Sequence, residues 1–228
     1  MHEGDIPRYA LILTHDRPQL LADCVAAIRA QADVVLVIDN ASDPPVPPSD
    51  EDDVTVMNIP DQPPNLSHFW NVGLGWVDTW VSANIPATPE WDVAVLCDDV
   101  IVPDGWFEAV SSCMRGHKAT AASTHQWYPT SSPILKAGPD ADLANRMCGW
   151  AFVIAGEKNL RADEDLKWWW ADTHMDWQAR NNGGMVVCPG PVAKNIHPND
   201  WTARVPELNH QSGIDGVTFA RKWGWKPW

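Results

Sequence analysis

The sequence Val93-Ala-Val-Leu-Cys-Asp-Asp-Val-Ile-Val-Pro-Asp-Gly-Trp106 decides the fold, because an apolar run ends in two adjacent carboxylates and a predicted helix follows. Such a run is typical of a strand that is covered on both faces of a parallel sheet. Ligands of open α/β sheets bind beyond the carboxyl ends of the strands, and carboxylate oxygens there suit a hard cation such as Mg²⁺ or Mn²⁺. The stretch therefore indicates a metal site at a strand tip. Taken alone, it fits a surface turn with two solvated acids equally well.

The composition of the chain is that of a folded α/β domain. Its 228 residues are 45% hydrophobic and 20% charged, which is enough for a substantial core in one domain. The five cysteines are widely spaced and form no Cys-x-x-Cys pair, so we expect reduced core thiols and no zinc or redox site. The sequence shows no apolar run near the ~20 residues of a membrane span and no signal peptide. We therefore expect a soluble, cytoplasmic protein.

The net charge and the aromatic content restrict the kinds of ligand and partner that the protein is expected to bind. The formal net charge of −14 opposes binding to a long nucleic-acid backbone, although the basic and aromatic residues of 221–228 could form a local patch. Tryptophan supplies 15 aromatic residues, against two tyrosines and four phenylalanines. Buried packing does not require this bias, because an indole brings an N–H that must find a partner. Some of the tryptophans are therefore expected to face a ligand.

The order of predicted elements indicates a sheet built from right-handed βαβ units. Strands are predicted at 9–14, 34–38, 54–59, at the 93–97 run, near 119–123, at 149–154 and at 185–187. Helices are predicted after Pro18, after Asn65 as N-cap, over about 105–112, and after Asp172 as N-cap. We see no internal repeat and no flexible linker. We therefore expect a single domain over residues 1–228, with an irregular C-terminal tail over about 200–228.

Four segments, taken in order, resemble family 2 glycosyltransferases of the GT-A fold. Leu13-Thr-His-Asp-Arg-Pro18 resembles the first strand of the family and its Asn-Arg-Pro turn, and Val37-Ile-Asp-Asn-Ala-Ser42 is similar to Val-Asp-Asn-Gly-Ser. Residues 65–73 resemble the Asn-Leu-Gly and Asn-x-Gly positions, and Leu96-Cys-Asp-Asp-Val100 resembles the metal motif Leu-Asp-Asp-Asp-Val. The resemblance covers roughly residues 8 to 200. It implies a GT-A (nucleotide-diphospho-sugar transferase-like) fold, with a mostly parallel central sheet flanked by helices.

The resemblance also implies which residues hold a nucleotide-sugar donor. Thr14, Asp16 and Asp39 would line the nucleobase and ribose pocket, with Asp39 accepting a hydrogen bond from the imide N–H of the base. Asp98 would meet the ribose or the sugar. Asn65 and Asn71, in the third matching segment, belong to the same predicted group.

For the metal, the resemblance implies that Asp99 binds Mn²⁺ or Mg²⁺, which would bridge the diphosphate. Cys97 departs from the family pattern, which has an acid at that position. His197 follows the last strand, where the family often has a histidine in the metal shell, and a neutral imidazole is a competent ligand for Mn²⁺.

The catalytic base has three candidates, because Asp172-Thr-His-Met-Asp-Trp177 resembles the Glu-Asp-x-Asp-Leu segment of the family only in part. If the start of the helix sets the register, the base is Asp172, which we favour. If Asp176-Trp177 replaces the final Asp-Leu, the base position falls on His174, and Asp176 is the remaining alternative. A purely structural interpretation makes Asp172 an N-cap and Asp176 a surface acid.

Three tryptophans, Trp150, Trp169 and Trp170, are candidates for the acceptor side of such a site. Core packing explains any one of them equally well. Together these features predict a metal-dependent, inverting glycosyltransferase that moves a sugar from a nucleoside diphosphate donor, with UDP favoured, to an acceptor hydroxyl. The alternatives are a non-catalytic carbohydrate-binding module and a GT-A-like nucleotidyltransferase. The sequence leaves the oligomeric state open, and also the acceptor, whether glycan, protein, small molecule or modified nucleic-acid base.

Overall fold

The parallel strands predicted from the sequence form one half of a central sheet. The structure, a computed structural model, describes residues 6–60, 65–85, 90–138, 143–196 and 205–224. Within these ranges the strands are β1 Arg8–Thr14, β2 Val34–Asn40, β3 Val54–Ile59, β4 Asp92–Cys97, β5 Val100–Ile101, β6 Ala121–Thr124, β7 Ile134–Lys136, β8 Ala151–Ala155, β9 Met185–Cys188 and β10 Lys194–Asn195. The helices are α1 Pro18–Arg29, α2 Leu66–Asn84, α3 Trp106–Gly116, α4 Ala171–Asn181 and α5 Pro206–Trp223, with a short 3₁₀ turn at Gly156–Lys158.

The sheet is mixed, and its parallel part positions the predicted site. Eight of the described strands pair in the order β3-β2-β1-β4-β8-β6-β9-β7. The first four are parallel, and Thr14 pairs with Asp39 while Leu13 pairs with Cys97. β8 runs antiparallel to both β4 and β6, and β7 runs antiparallel to β9. The carboxyl ends of β1, β2 and β4 therefore meet at one edge, as the sequence predicts.

Helices cover both faces of the sheet, because apolar side chains of β1 alternate between two cores. Ala10 and Ile12 pack in one core with residues of α1 and α3, and Tyr9 and Leu11 pack in the other with residues of α2 and α4. On the second face α2 comes very close to the sheet. A Cβ added at Gly73 would lie 2.4 Å from Leu11 Cδ1, so the glycine is what permits this approach.

The C-terminal third differs from the sequence prediction in two respects. Asp172 is not the N-cap of α4. Trp170 occupies that position with a φ of 68°, and its ring stacks on Phe219. The tail expected to be irregular contains α5, which begins with Pro206 at its first turn. This helix shows no apolar stripe in the sequence, because its buried face consists of Asp215, Gly216 and Phe219.

No helix among the described residues is long and apolar enough to cross a membrane.

Cys97 lies at the end of β4, and its backbone N–H donates to the carbonyl of Trp150 at 3.0 Å. The departure at position 97 therefore leaves the end of the strand bonded to the segment that precedes β8.

Replacing Phe219 with alanine tests whether α5 is an integral part of the fold. The ring is fully buried and lies 5.0 Å from the ring of Trp170 and 4.9 Å from that of Trp177. We expect Phe219→Ala to lower the free energy of unfolding by about 3–5 kcal/mol, as measured by chemical denaturation. Val217→Ala on the same helix is the control, since Val217 is 50% exposed, and it should change stability by less than about 0.5 kcal/mol. Equal effects of the two changes would contradict the packing of α5.

Candidate active site

A cavity of about 250 Å³ lies beyond the carboxyl ends of β1, β2 and β4, where α/β sheets bind ligands. One side is formed by polar residues at the strand ends and by Asn195 of β10, and the other by loops rich in tryptophan. The lining residues include Thr14, Arg17, Trp70, Cys97, Asp99, Gln126, Trp127, Arg146, Gly149, Trp150, Trp168, Trp169, Trp170, Asp172 and Asn195.

Asp98 is held inside the protein beneath this cavity. Its carboxylate is fully buried, accepts a hydrogen bond from Thr14 Oγ1 at 2.7 Å and lies 2.9 Å from Arg17 Nη2. Burial raises the pKa of Asp98 to about 6, while Arg17 and the Thr14 hydroxyl act in the opposite direction. Asp98 is therefore an anchor between the end of β1 and the end of β4. Thr14, predicted to line the nucleotide pocket, does line the cavity.

Asp99 is the acid of this pair that lines the cavity. One carboxylate oxygen lies 3.3 Å from Arg17 Nη1, and the other accepts a hydrogen bond from Asn195 Nδ2 at 3.3 Å. The backbone carbonyl of Asp99 accepts from Ile196 N–H at 2.9 Å. Ile196 directly precedes His197 in the sequence, and His197 itself lies outside the described residues.

The carboxylate of Asp99 is a suitable ligand for a hard cation. The described residues contain no group of three or more His, Cys, Asp or Glu that could hold a metal. Asp99 nevertheless offers carboxylate oxygens to the cavity, the ligand type that Mg²⁺ and Mn²⁺ prefer. With both acids ionised, Arg17, Asp98 and Asp99 together carry one net negative charge. This local charge favours a cation and opposes an unaccompanied diphosphate.

Asp39 and Asp16 form hydrogen bonds within the turns that follow β2 and β1. The Asp39 carboxylate is fully buried, and it accepts from Ser42 N–H at 3.1 Å and from Val46 N–H at 2.9 Å. Asp16 is exposed with a φ of 54°, and it accepts from Asp43 N–H at 2.7 Å. Neither residue lines the cavity, so contact of either with a nucleobase remains a prediction.

Asn65 and Asn71 connect α2 to a neighbouring loop. Asn65 is the N-cap of α2, as the sequence predicts, and its side chain accepts from His68 N–H at 3.0 Å. The Asn71 amide both donates to and accepts from the backbone of Ala162, each at 2.9 Å, and also donates to Glu164. Neither asparagine lines the cavity, and their nucleotide-binding role stays a prediction.

Of the three candidate bases, Asp172 is the one that lines the cavity. It is half-buried in the first turn of α4. A Cβ added at Gly149 would lie 2.1 Å from Asp172 Oδ2. Because Gly149 has no side chain, the Asp172 carboxylate can occupy the space beside its Cα.

His174 and Asp176 are directed to other parts of the fold. His174 is buried with its Nε2 3.5 Å from a carboxylate oxygen of Asp163, and burial lowers its pKa. Asp176 is fully buried and forms two bonds to Arg180, at 2.7 and 2.8 Å. It also accepts from Met147 N–H at 3.0 Å. The interpretation of Asp176 as a surface acid is therefore wrong, because this ion pair fixes it in the interior.

The second side of the cavity is aromatic. The predicted acceptor-side residues Trp150, Trp169 and Trp170 line it, together with Trp70, Trp127 and Trp168. Trp127 contacts Trp150 edge to face with ring centroids 5.1 Å apart. Trp127 and Trp150 therefore support each other.

Asp215 of α5 fixes the loop that carries three of these tryptophans, and sequence reasoning missed it. The buried carboxylate accepts backbone N–H bonds from Trp168 at 2.7 Å, Trp169 at 2.8 Å and Lys167 at 3.2 Å. Gln211 donates to the same carboxylate at 2.7 Å. The role of Asp215 in this loop has no local sequence signal, because the three backbone donors lie 46–48 positions away along the chain.

Arg17, Gln126 and Arg146 are among the other lining residues that sequence reasoning missed. Arg17 stands between the end of β1 and Pro18, so its place at the carboxyl end of a predicted strand was the available signal. Gln126 and Arg146 lie in irregular segments and offered none.

Comparison with solved structures shows that the chain has a GT-A-like fold. S. aureus TarS, residues 1–349, aligns with a TM-score of 0.59 and 10% identity over 96% of this chain and 72% of that one. Its complex with UDP aligns with a TM-score of 0.60 and 10% identity over the same shares. Its complex with UDP-GlcNAc aligns with a TM-score of 0.59 and 9% identity, over 97% of this chain and 74% of that one. The sequence matches no protein-family model and no curated protein. At these identities the likeness shows the fold alone.

Asp215→Asn tests whether this carboxylate orders the tryptophan loop. An asparagine keeps the size but turns a donor toward the backbone N–H groups, so we expect a loss of about 1–3 kcal/mol in unfolding free energy. We also expect faster amide hydrogen exchange at residues 167–170, measured by mass spectrometry. Asp92→Asn is the matched control, because Asp92 is an equally buried acid, paired with Arg115 at 2.6 Å, at the start of β4. If both variants accelerate exchange at 167–170 equally, Asp215 has no specific role in this loop.

Proposed function

We propose that the protein is a metal-dependent, inverting glycosyltransferase that transfers a sugar from a UDP-sugar to an acceptor hydroxyl. The observation that carries the proposal is that Asp99 and Asp172 line one cavity in a GT-A-like fold. The complexes of TarS with UDP and UDP-GlcNAc support a uridine donor. Since TarS shares only about a tenth of its aligned residues with this chain, activity and donor need their own test.

The polar side of the cavity suits the diphosphate of the donor. Asp99 would hold the divalent cation, which supplies positive charge to the leaving diphosphate. Arg17 is fixed against both Asp98 and Asp99, so one cation of the protein stays at the floor of the cavity. Asp98 is fully buried against Thr14 and Arg17 and does not line the cavity, so its contact with the ribose or the sugar, which the resemblance implies, stays a prediction.

Asp172 is suited to remove the proton of the acceptor. In a single displacement the acceptor oxygen bonds to the anomeric carbon while the bond from that carbon to the diphosphate oxygen breaks. The proton of the hydroxyl passes to the Asp172 carboxylate, and UDP leaves with the electron pair of the broken bond. Attack on the face opposite the leaving group inverts the carbon.

The aromatic side limits access of water to the reacting carbon. Trp70 and Trp170 are buried, and Trp150 and Trp168 are only partly exposed. Apolar walls lower the local water content and strengthen the electrostatic interactions of the polar side. Hydrolysis of the donor is therefore expected to be slower than transfer to a bound acceptor.

Titration of UDP by calorimetry, with and without Mn²⁺, tests donor binding. We expect Mn²⁺ to strengthen UDP binding to the unchanged protein, and Asp99→Asn to weaken the metal-dependent binding about tenfold or more, because a carboxylate ligand is lost. Asp104→Asn is the control, an exposed acid in the loop before α3. Negligible heat of UDP binding both with and without Mn²⁺ would contradict the proposal. Sugar binding that ignores EDTA and survives Asp99→Asn would favour a carbohydrate-binding module, which the tryptophan-lined cavity also suits.

Replacement of Asp172 tests the catalytic base. With a UDP-sugar that the unchanged protein turns over, we expect Asp172→Asn to lower the rate of UDP formation about 100-fold or more, because general-base catalysis is lost. The affinity for UDP should not change. His174→Gln should retain most activity, because His174 does not line the cavity.

Gly149→Ala should act in the same direction as Asp172→Asn, because its new Cβ would displace the Asp172 carboxylate. Gly75→Ala is its control, since a Cβ there has no neighbour within 4 Å. Full activity of Asp172→Asn, or a loss confined to His174→Gln, would refute the assignment.

A further inference from the structure

Two tryptophans at the mouth of the cavity are exposed although they line it. Trp127 is 65% exposed and Trp169 is 40% exposed. Leaving large apolar rings in water forgoes the free energy of burial, so core packing does not explain either one. Trp127 rests edge to face on Trp150 at an interplanar angle of 66°. This contact supports the Trp127 ring and leaves most of its surface open to a ligand.

Three residues with planar polar groups line the same cavity as these rings, namely Gln126, Arg146 and Asp172. Within the described ranges, no carboxylate forms an ion pair with Arg146, whereas Arg17 on the opposite side contacts two. Arg146 can therefore direct its N–H donors to a ligand, and Gln126 can both donate and accept.

This combination matches the two chemical surfaces of a sugar ring. The C–H face of a pyranose is apolar and flat enough to lie on an indole, and its hydroxyl edge both donates and accepts hydrogen bonds. Sites for small molecules combine aromatic walls with a few placed polar groups in this way. A nucleic acid also stacks on aromatic rings, but the net charge of −14 opposes its backbone.

We propose that the acceptor is itself a carbohydrate, with a sugar ring stacked on Trp127 and its hydroxyls bonded by Gln126 and Arg146. This inference rests on the proposed function, because it takes Asp172 as the base beside that ring. In this proposal one hydroxyl of the bound sugar lies at Asp172, which lines the same cavity as Trp127.

Saturation-transfer NMR, in which magnetisation passes from the protein to a bound ligand, tests the proposal without knowledge of the natural acceptor. The probes are the methyl glycosides of glucose, galactose, mannose and N-acetylglucosamine, the dinucleotide d(TpT), and UDP with Mn²⁺ in the same sample. We expect at least one glycoside to receive saturation, strongest at its ring C–H protons. Trp127→Ala should weaken that binding about tenfold, as loss of a stacking platform does.

Tyr128→Ala is the matched control. Tyr128 is adjacent, aromatic and 57% exposed, but it stacks on His125 and does not line the cavity. Glycoside binding that is kept in Tyr128→Ala and lost in Trp127→Ala supports the proposal. No saturation of any glycoside, equal loss in both variants, or saturation of d(TpT) alone overturns it. The UDP signal reports separately on the proposed function, which fails if UDP is not bound while the outcome for the glycosides still stands.

Discussion

The contact of Arg17 with two adjacent carboxylates is the constraint on which the site depends. Asp98 is fully buried just beyond the end of β4, and a buried carboxylate is costly unless a cation and hydrogen bonds compensate it. Arg17 and Thr14 supply both, and they come from the end of β1 and the start of α1. The same guanidinium reaches Asp99. A single ion-pair cluster thus joins two strand ends and leaves Asp99 as the acid that a ligand can reach.

The opposite side of the cavity depends on a different kind of interaction. The loop before α4 has irregular backbone, and its N–H groups would lack partners if it were simply packed against the domain. Asp215 accepts three of them, which explains how an acid can occupy the buried face of α5. The stack of Trp170 on Phe219 then fixes the start of α4, and with it the position of Asp172. The candidate base is therefore placed by a helix more than thirty residues further along the chain.

The parts of the fold that the sequence predicts are those with local, periodic signals. The apolar run at 93–97 and the N-cap at Asn65 depend on residues within a few positions, and both are confirmed. α5 was missed because its buried face has one large apolar side chain, Phe219, beside an acid and a glycine. Helical periodicity of apolar residues cannot reveal such a face.

In the candidate site, the sequence could not predict the direction in which each side chain points. Asp172, His174 and Asp176 lie within one and a half turns of α4, yet one faces the cavity, one faces Asp163 and one pairs with Arg180. Tertiary partners decide these directions, and spacing along the helix does not identify those partners. Gly149 gave a local signal, as a glycine in a predicted strand segment, but its meaning required knowledge of the carboxylate that fills its space.

The cavity has a polar side and an aromatic side because the sheet is mixed. Parallel strands bring their carboxyl ends to one edge, so β1, β2 and β4 supply the polar residues and the charged cluster. β8 runs in the opposite direction, so the segment that reaches this edge is the one that precedes it, with Gly149 and Trp150. A reversal of one strand therefore places an aromatic surface directly beside the acidic one. The proposed transfer, in which a charged diphosphate leaves and a neutral hydroxyl attacks, would use both surfaces, and this topology brings them together within one sheet.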